Sequence, residues 1–450
     1  MQVFCFAVFA VVWGVVSQGL LTAAERPNVI LMMVDDFGYE CIAANGGESY
    51  ATPNIDRLAA TGMRFENCHV QPLCTPTRVQ LMTGRYNIRN YVQFGMLPRN
   101  ELTFGTLFKN AGYATGICGK WQLGHEPDSP QHFGFDESLL WQHTRRPPRY
   151  ANPGLERNAE EIDYASGEYG PELVNDFALE FIAKNHHRPF FLYYPMILTH
   201  SPFQPTPDSP DWDPTISSER VQQSVRHFGE MVAYTDKMVG SLTEKLDELG
   251  IRENTLLIFL GDNGTLGSIT SRFKGTDYKG GKGSTKANGT HVPLIVSWPA
   301  GVKTPNSVSE ELISSTDFLP TICAAAGIEV PNNVDGISFL PQLLGQTGPS
   351  RSWLYTWYSP RQAMDLTVKE YAFDKRFKLY RSGQFYDWER DSAEQHDLAK
   401  TQLTAQASEV KARLQLVLNQ FQDARPIELD RQFESTARDR PKTKKAARKN

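Results

Sequence analysis

The chain has 450 residues, 40% of them hydrophobic and 22% charged, with a formal net charge of −5. That length suits two or three domains, or one large domain with an appendage, and the acidic balance excludes a general nucleic-acid binder. Six cysteines are too few for a disulfide scaffold of this size.

In chain order, MQVFCFAVFAVVWGVVSQGLLTAAERPN opens with an apolar run too short for a comfortable bilayer span, ending in the small residues Thr22, Ala23 and Ala24. Residues 1–24 are expected to be a signal peptide, exporting the chain to the periplasm or the medium. No Lys or Arg precedes Arg26, so a retained membrane anchor is the alternative; no later segment reads as a span. PNVILMMVDD reads as a buried strand ending in Asp35 and Asp36. NIDRLAATG reads as a helix with Asn54 as N-cap and Gly62 as stop. In PLCTPTRVQLMTGRY, Cys74 stands at the mouth of a short helix, with Pro76 in its first turn and Arg78 one turn along. The helix dipole and Arg78 both favour a thiolate. A nucleophile, a buried structural thiol and a precursor of another group are all open readings of Cys74.

PFFLYYPMILTH is a second buried strand, ending at His200, and NTLLIFLGDNG a third, ending in Asp262 and Asn263. Between them, Glu219 to Gly250 carries Val221, Val225, Phe228, Val232, Val239, Leu242, Leu246 and Leu249 at helical steps. VPLIVSWP follows a glycine-rich loop. Strands alternating with helices predict an α/β fold: a large mixed, mostly parallel sheet sandwiched by helices. Ligands in such sheets bind beyond the carboxyl ends of strands, where the Asp pairs and His200 fall. After Gly345–Ser350 the texture changes to a meander, EYAFDKRFKLYRSGQFYDWERD, and a closing amphipathic helix, TAQASEVKARLQLVLNQFQDA. The expected organisation is a catalytic domain over 25–347, a small α+β domain with an antiparallel sheet over 348–425, and a basic, disordered tail over 426–450.

Asp35, Asp36, Asp262 and Asn263 offer only oxygen. Converging on one point, they would repel unless a cation sat between them. Oxygen ligation suits a hard ion, Ca²⁺ ahead of Mg²⁺, over zinc. Arg78, Lys120 and Lys282 lie in segments flagged by glycine or proline, and such cations beside a metal suit a tetrahedral oxyanion. GGKGST lacks the G-x-x-x-x-G-K-[ST] spacing and is not a Walker loop. WQHTRRPPRYANPG carries Trp141, His143, Arg145, Arg146, Arg149 and Tyr150. Arg145 and Arg146 there are candidate contacts to a sugar carboxylate or a second sulfate, or else solvated surface charges.

These residues resemble the type I sulfatases of the alkaline phosphatase superfamily. The C-x-P-x-R signature stands as Cys74-Thr75-Pro76-Thr77-Arg78, followed by Thr83-Gly84-Arg85. AGYATGICGKWQLG, FFLYYPMILTHSPF, FLGDNG, GGKGSTKANGTHVPLIVSWPAG and STDFLPTICAAAGI follow in the family's order over nearly the whole mature chain. The resemblance implies that a maturation enzyme oxidises Cys74 to Cα-formylglycine. One hydroxyl of the aldehyde hydrate would attack sulfur, and the other would drive release of sulfate. It implies Asp35, Asp36, Asp262, Asn263 and the modified Cys74 as Ca²⁺ ligands, with Asp262 also helping to deprotonate the attacking hydroxyl. It implies Arg78 as the holder of the hydrate, Lys120 and Lys282 as sulfate-binding lysines, and His200 as the acid for the leaving alcohol. The expected substrate is a sulfated small molecule or glycan. Two departures stand out. Gln122 occupies the place of a histidine expected to assist sulfate release, and Gln cannot take up a proton, so that step falls to another base, to water or to His125. His291 stands where Arg is common. Two alternatives sit beside a sulfuric ester hydrolase: a phosphate or phosphonate ester hydrolase on the same fold, and an idle sulfated-glycan binder, which Gln122 invites.

Overall fold

The computed structural model of the protein describes residues 26–216, 224–362 and 366–438; the expected signal peptide and the residues beyond 438 lie outside these. The first eight strands are β1 (Asn28–Val34), β2 (Met63–His69), β3 (Ala114–Gly119), β4 (Glu137–Trp141), β5 (Gly154–Arg157), β6 (Glu160–Asp163), β7 (Phe190–Pro195) and β8 (Thr255–Gly261). A hairpin of β9 (Thr270–Phe273) and β10 (Thr276–Lys279) precedes β11 (Leu294–Ser297) and β12 (Ser307–Ser314). The helices are α1 (Pro53–Thr61), α2 (Cys74–Thr83), α3 (Phe104–Asn110), α4 (Ser129–His132), α5 (Gly170–Asn185), α6 (His227–Glu248), α7 (Ala287–Thr290), α8 (Phe318–Ala325), α9 (Leu340–Leu343), α10 (Ala405–Gln420) and α11 (Ile427–Arg438).

Ten strands form the main sheet in the order β12-β2-β11-β8-β1-β7-β3-β4-β5-β6. The centre, β8-β1-β7-β3-β4, is parallel, and every residue of β1, β7 and β8 is buried, as a sheet covered on both faces requires. Alternation sorts the side chains of β1. Val29, Leu31 and Met33 join the core under α2, α3 and α8, while Ile30, Met32 and Val34 join the one under α1, α5 and α6. Four further strands, β13 (Leu354–Tyr358), β14 (Lys369–Phe373), β15 (Phe377–Tyr380) and β16 (Phe385–Asp387), make the smaller antiparallel meander. Helix α10 packs on it through Leu414, Val417 and Leu418, and this layer joins the core under α2. The α/β architecture and the small antiparallel sheet are those expected from the sequence.

Three local expectations are corrected. Thr52, with Pro53 after it, is the N-cap of α1, not Asn54; the backbone N–H groups of Asn54 and Ile55 instead donate to Asp236 of α6 at 3.0 and 2.8 Å. A tertiary carboxylate thus does the capping that propensity assigned to a local side chain. Helix α6 starts at His227, and Val225 lies outside it, 56% exposed; Val221 lies outside the described residues. The stretch expected to be disordered from 426 is helical to Arg438. Phe433 is fully buried, Asp430 pairs with Arg361 and Arg425 at 2.7 Å each, and Arg425 stacks on Trp357. The apolar-poor composition of the tail belongs to the residues after this helix.

Candidate active site

Four adjacent strands deliver the site. Main-chain bonds lock their ends together: Asp262 N donates to Val34 O, Asp35 N to Leu198 O, Thr199 N to Asp35 O, and Lys120 N to Pro195 O. Asp262 and Asn263 therefore follow β8, Asp35 and Asp36 follow β1, the segment bearing His200 follows β7, and Lys120 follows β3. The last junction needs Gly119, whose φ is +116° and where a Cβ would sit 2.0 Å from Pro195 O.

Cys74 is the first residue of α2 and is buried, 1% exposed. Its Sγ and the carboxylates of Asp35 and Asp262 lie within 4.8 Å of one another, as do groups of Asp35, Asp36 and His200. Arg78 is fully buried beneath them, donating to Asp262 Oδ2 at 3.0 Å and to Lys120 O at 2.7 Å. Lys120 Nζ lies 2.6 Å from Asp35 Oδ2, and Lys282 Nζ 2.6 Å from Asp36 Oδ1. The sequence reading assigned both lysines to a substrate anion; here they neutralise carboxylates. Asp262 is raised by burial and then by the Asp35 charge. Burial works the same way on Asp35, but Lys120 foremost, with His200, Lys282 and Arg78, brings it far down. Burial pushes the Cys74 thiol up, Lys120 opposes it, and Asp262 and Asp35 add to the rise. The thiolate that dipole and Arg78 suggested is thus disfavoured, because desolvation and two carboxylates outweigh them.

The donor set fits a hard cation. Asp35 Oδ1 and Asn263 Oδ1 are buried with no hydrogen-bond partner, and orphaned buried acceptors are rare without an ion or water to meet them. Asn263 is held in place through its Nδ2, which donates to Asp36 Oδ1 and Gly264 O at 2.9 Å each. Oxygen ligands of this kind suit Ca²⁺.

His200 lies with its Nδ1 on Ser201 O at 2.5 Å and its Nε2 4.0 Å from Asp36 Oδ2. Burial takes it down to about 4, against the pull of Asp35. Gln122 has a φ of +57°; its carbonyl accepts from Thr75 Oγ1 at 3.5 Å, and its Oε1 is buried without a partner. It therefore stands one residue from Cys74. His125 is exposed, with its Nδ1 on His143 O at 2.6 Å, and His291 stacks on Tyr39 with ring centres 3.9 Å apart.

The arginine loop divides. Arg145 is committed to Glu161 and Asp163 of β6 at 2.7 and 2.9 Å, on the surface, and buried His143 contacts Glu156 at 3.2 Å. Arg146 and Arg149 turn the other way, Arg149 lying over the Trp141 ring at 4.0 Å. Tyr150 donates its hydroxyl to His200 O.

Sequence reasoning missed three supports. The Thr77 hydroxyl bridges Gln71 N (3.0 Å) and Asp262 O (2.7 Å). Thr199 Oγ1 donates to Asp35 O at 3.1 Å. The Lys282 loop is clamped by the small sheet: Lys378 Nζ donates to Thr285 O, Tyr380 Oη bonds Thr285 Oγ1 at 3.0 Å, and Tyr358 Oη reaches Gly283 O at 3.5 Å. A hydroxyl inside the pentapeptide was visible for Thr77; the others depend on contacts distant in sequence.

Against this geometry the comparisons are direct. A sulfatase family model matches residues 27–328. The chain belongs to the sulfatase family. A second model, N-sulphoglucosamine sulphohydrolase C-terminal, matches residues 284–424. Arylsulfatase A of Bos taurus is 33% identical over 388 residues, covering 75% of this chain and 72% of the relative. N-acetylgalactosamine-6-sulfatase of Mus musculus is 33% identical over 393 residues, covering 78% and 73%. Among solved structures, Ps i-CgsB, also solved in complex with k-i-k-neocarrahexaose, superposes with a TM-score of 0.73 at 26% identity, covering 89% of this chain and 94% of that one. A protein solved with its substrate D-glucosamine-2-N,6-O-disulfate shares the fold at 21% identity, with a TM-score of 0.71 over 89% and 98% of the two chains. This sulfatase is therefore an enzyme of sulfate-ester hydrolysis on a fold it shares with glycan-acting proteins.

Proposed function

We propose that this sulfatase is exported and removes sulfate from a sulfated carbohydrate, using a Cα-formylglycine hydrate made from Cys74 by a maturation enzyme and a bound Ca²⁺. The observation that carries the reading is the pair of orphaned acceptors, Asp35 Oδ1 and Asn263 Oδ1, buried beside the Cys74 that opens α2. Asp35, Asp36, Asp262, Asn263 and the modified Cys74 would hold the Ca²⁺, which when bound polarises an oxygen of the sulfate ester. The hydrated aldehyde would supply one hydroxyl for attack on sulfur and one for release of sulfate.

The protein's own residues do the rest. The carboxylates of Asp35, Asp36 and Asp262 are matched by Arg78, Lys120 and Lys282, so a divalent ion leaves the cluster net positive and receptive to an anionic ester. Arg78 fixes Asp262, which would take up a proton from the attacking hydroxyl. The Nδ1–Ser201 contact puts the proton of neutral His200 on Nδ1, so His200 would have to be the imidazolium, protonated on Nε2 as well, to pass a proton to the leaving alcohol. Lys120 and Lys282, paired with Asp35 and Asp36 in this structure, would turn to the sulfate when the substrate binds, with Lys282 also stabilising the leaving oxygen. Gln122 offers a hydrogen bond at this site but no base. The carbohydrate class rests on the arginine loop and on what the neighbouring proteins bind. Export rests on the apolar first 24 residues; among the described residues no helix is long and apolar enough to cross a membrane.

The test is mass spectrometry of the peptide carrying Cys74 from chain co-produced with a formylglycine-generating enzyme, alongside hydrolysis of 4-nitrophenyl sulfate. Conversion of Cys74 together with turnover is expected. Full turnover from a chain whose Cys74 is entirely thiol overturns the mechanism.

A further inference from the structure

Most arginines of this chain are spoken for, but the guanidinium groups of Arg146 and Arg149 are not. Among the described residues neither has a carboxylate, and Arg149 Nη1 is buried with no hydrogen-bond partner at all. Leaving the buried Arg149 N–H unmet is costly, and the exposed Arg146 beside it adds a second positive charge. Burial, and after it the Arg149 charge, pulls Arg146 down. Among the described residues no carboxylate relieves this, although Glu161 and Asp163 lie close enough in sequence to hold Arg145.

Both side chains border the catalytic centre. Arg146 Nη2 would lie 3.5 Å from a Cβ on Gly95, and Gly95 N donates to Thr75 Oγ1, next to Cys74. Arg149 precedes Tyr150, whose hydroxyl is anchored on His200 O. Trp141 supports the Arg149 plane from below, with its own Nε1 fixed on Pro147 O at 2.8 Å. A planar fork held over an indole with an unmet N–H is preorganised for contact to an oxyanion.

We propose that Arg146 and Arg149 form a subsite for a second anionic group of the substrate, a carboxylate or a further sulfate, next to the ester being cleaved. The inference rests on the sulfate-hydrolysis reading for where the substrate lies. It replaces Arg145 by Arg149 in the pair that the loop sequence suggested, and it makes the preferred substrate a polyanionic sugar.

The test separates binding from chemistry. The full chain with Cys74→Ala, in Ca²⁺, is titrated by calorimetry with glucosamine 6-sulfate, with glucosamine-2-N,6-O-disulfate and with 2-O-sulfated glucuronate. The doubly anionic ligands are expected to bind 10- to 100-fold more tightly than the singly anionic one. Arg146→Ala and Arg149→Ala abolish that preference, Arg146→Lys and Arg149→Lys keep part of it, and Arg145→Ala keeps it. A preference for only one doubly anionic ligand identifies the second group as sulfate or as carboxylate. Equal affinity for all three ligands, or a preference that survives both alanine variants, overturns the proposal. A uniform loss for all three ligands in the alanine variants, not restored by lysine, marks a structural role and also overturns it. Turnover of 4-nitrophenyl sulfate by the matured chain tests the underlying reading by itself, so the two can fail separately.

Discussion

Thr77→Val removes one hydroxyl and changes almost no volume. Thr77 is fully buried, and its oxygen accepts from Gln71 N at 3.0 Å while donating to Asp262 O at 2.7 Å. Valine leaves both main-chain groups facing a methyl. An unsatisfied buried group costs about 1–3 kcal/mol, so the pair costs about 2–6 kcal/mol of stability. The effect is not confined to stability, because the bond to Asp262 O ties the first turn of α2 to the end of β8 and so sets Cys74 against Asp262. A shift at that junction weakens groups that must act together, and each 1.4 kcal/mol lost in the transition state is about tenfold in rate. Denaturant unfolding and kcat on 4-nitrophenyl sulfate, both on protein with Cys74 conversion measured, give the readout. Thr77→Val is expected to unfold at lower denaturant and to lose at least about tenfold in kcat, with Thr77→Ser near the parent in both. Unfolding curves for the valine and serine variants that superimpose would refute the reasoning.

Removing divalent cations is expected to abolish turnover reversibly, and Ca²⁺ at about 100 times its Kd should stabilise the chain by about 2.7 kcal/mol; Asn263→Leu should lose that stabilisation, read by thermal unfolding with and without Ca²⁺. Gln122→His should accelerate sulfate release without changing the burst of alcohol in single-turnover kinetics, and identical traces for both phases would remove Gln122 from the chemistry. Glu40 is buried and its pKa is raised to about 7, chiefly by desolvation, against the bond from Thr265. A raised folded-state pKa means the fold prefers the protonated acid, so stability falls as pH climbs from about 4.5 to about 7 and stays lower above that. Glu40→Gln keeps an acceptor for Thr265 and should flatten the fall; denaturant titrations at pH 5 and pH 8 should show its advantage over the parent growing by a few kcal/mol, and no growth would count against the buried-acid assignment.

The site was legible where chemistry is written in short runs. Apolar strands ending in Asp35-Asp36 and Asp262-Asn263 announce both a buried strand and what stands at its tip, since only a tip lets carboxylates leave the core. The adjacency of β8, β1 and β7 was not written there, because strand order depends on pairings between residues hundreds of positions apart. Asn54 shows the same limit at small scale: a residue with the right propensity for a cap lost the place to Asp236, on a different helix. In the arginine loop, composition gave the residue type but not which arginine is already paired with carboxylates. Arg145 and Arg149 differ only in what folds next to them, the β5–β6 hairpin for one and Trp141 for the other.

The clamp on the Lys282 loop bears on how the enzyme is made. A ribosome delivers Asp35, Asp36, Asp262, Cys74, Arg78, Lys120 and His200 before residue 283 is joined. The groups that grip Gly283 and Thr285, on Tyr358, Lys378 and Tyr380, come only in the last hundred residues. Domains tend to fold as they emerge, so a half-synthesised chain can gather the strand ends while the loop after Lys282 still lacks its brace from the small sheet. A chain cut short before β15 lacks Lys378 and Tyr380, two of the three side chains that brace the loop after Lys282.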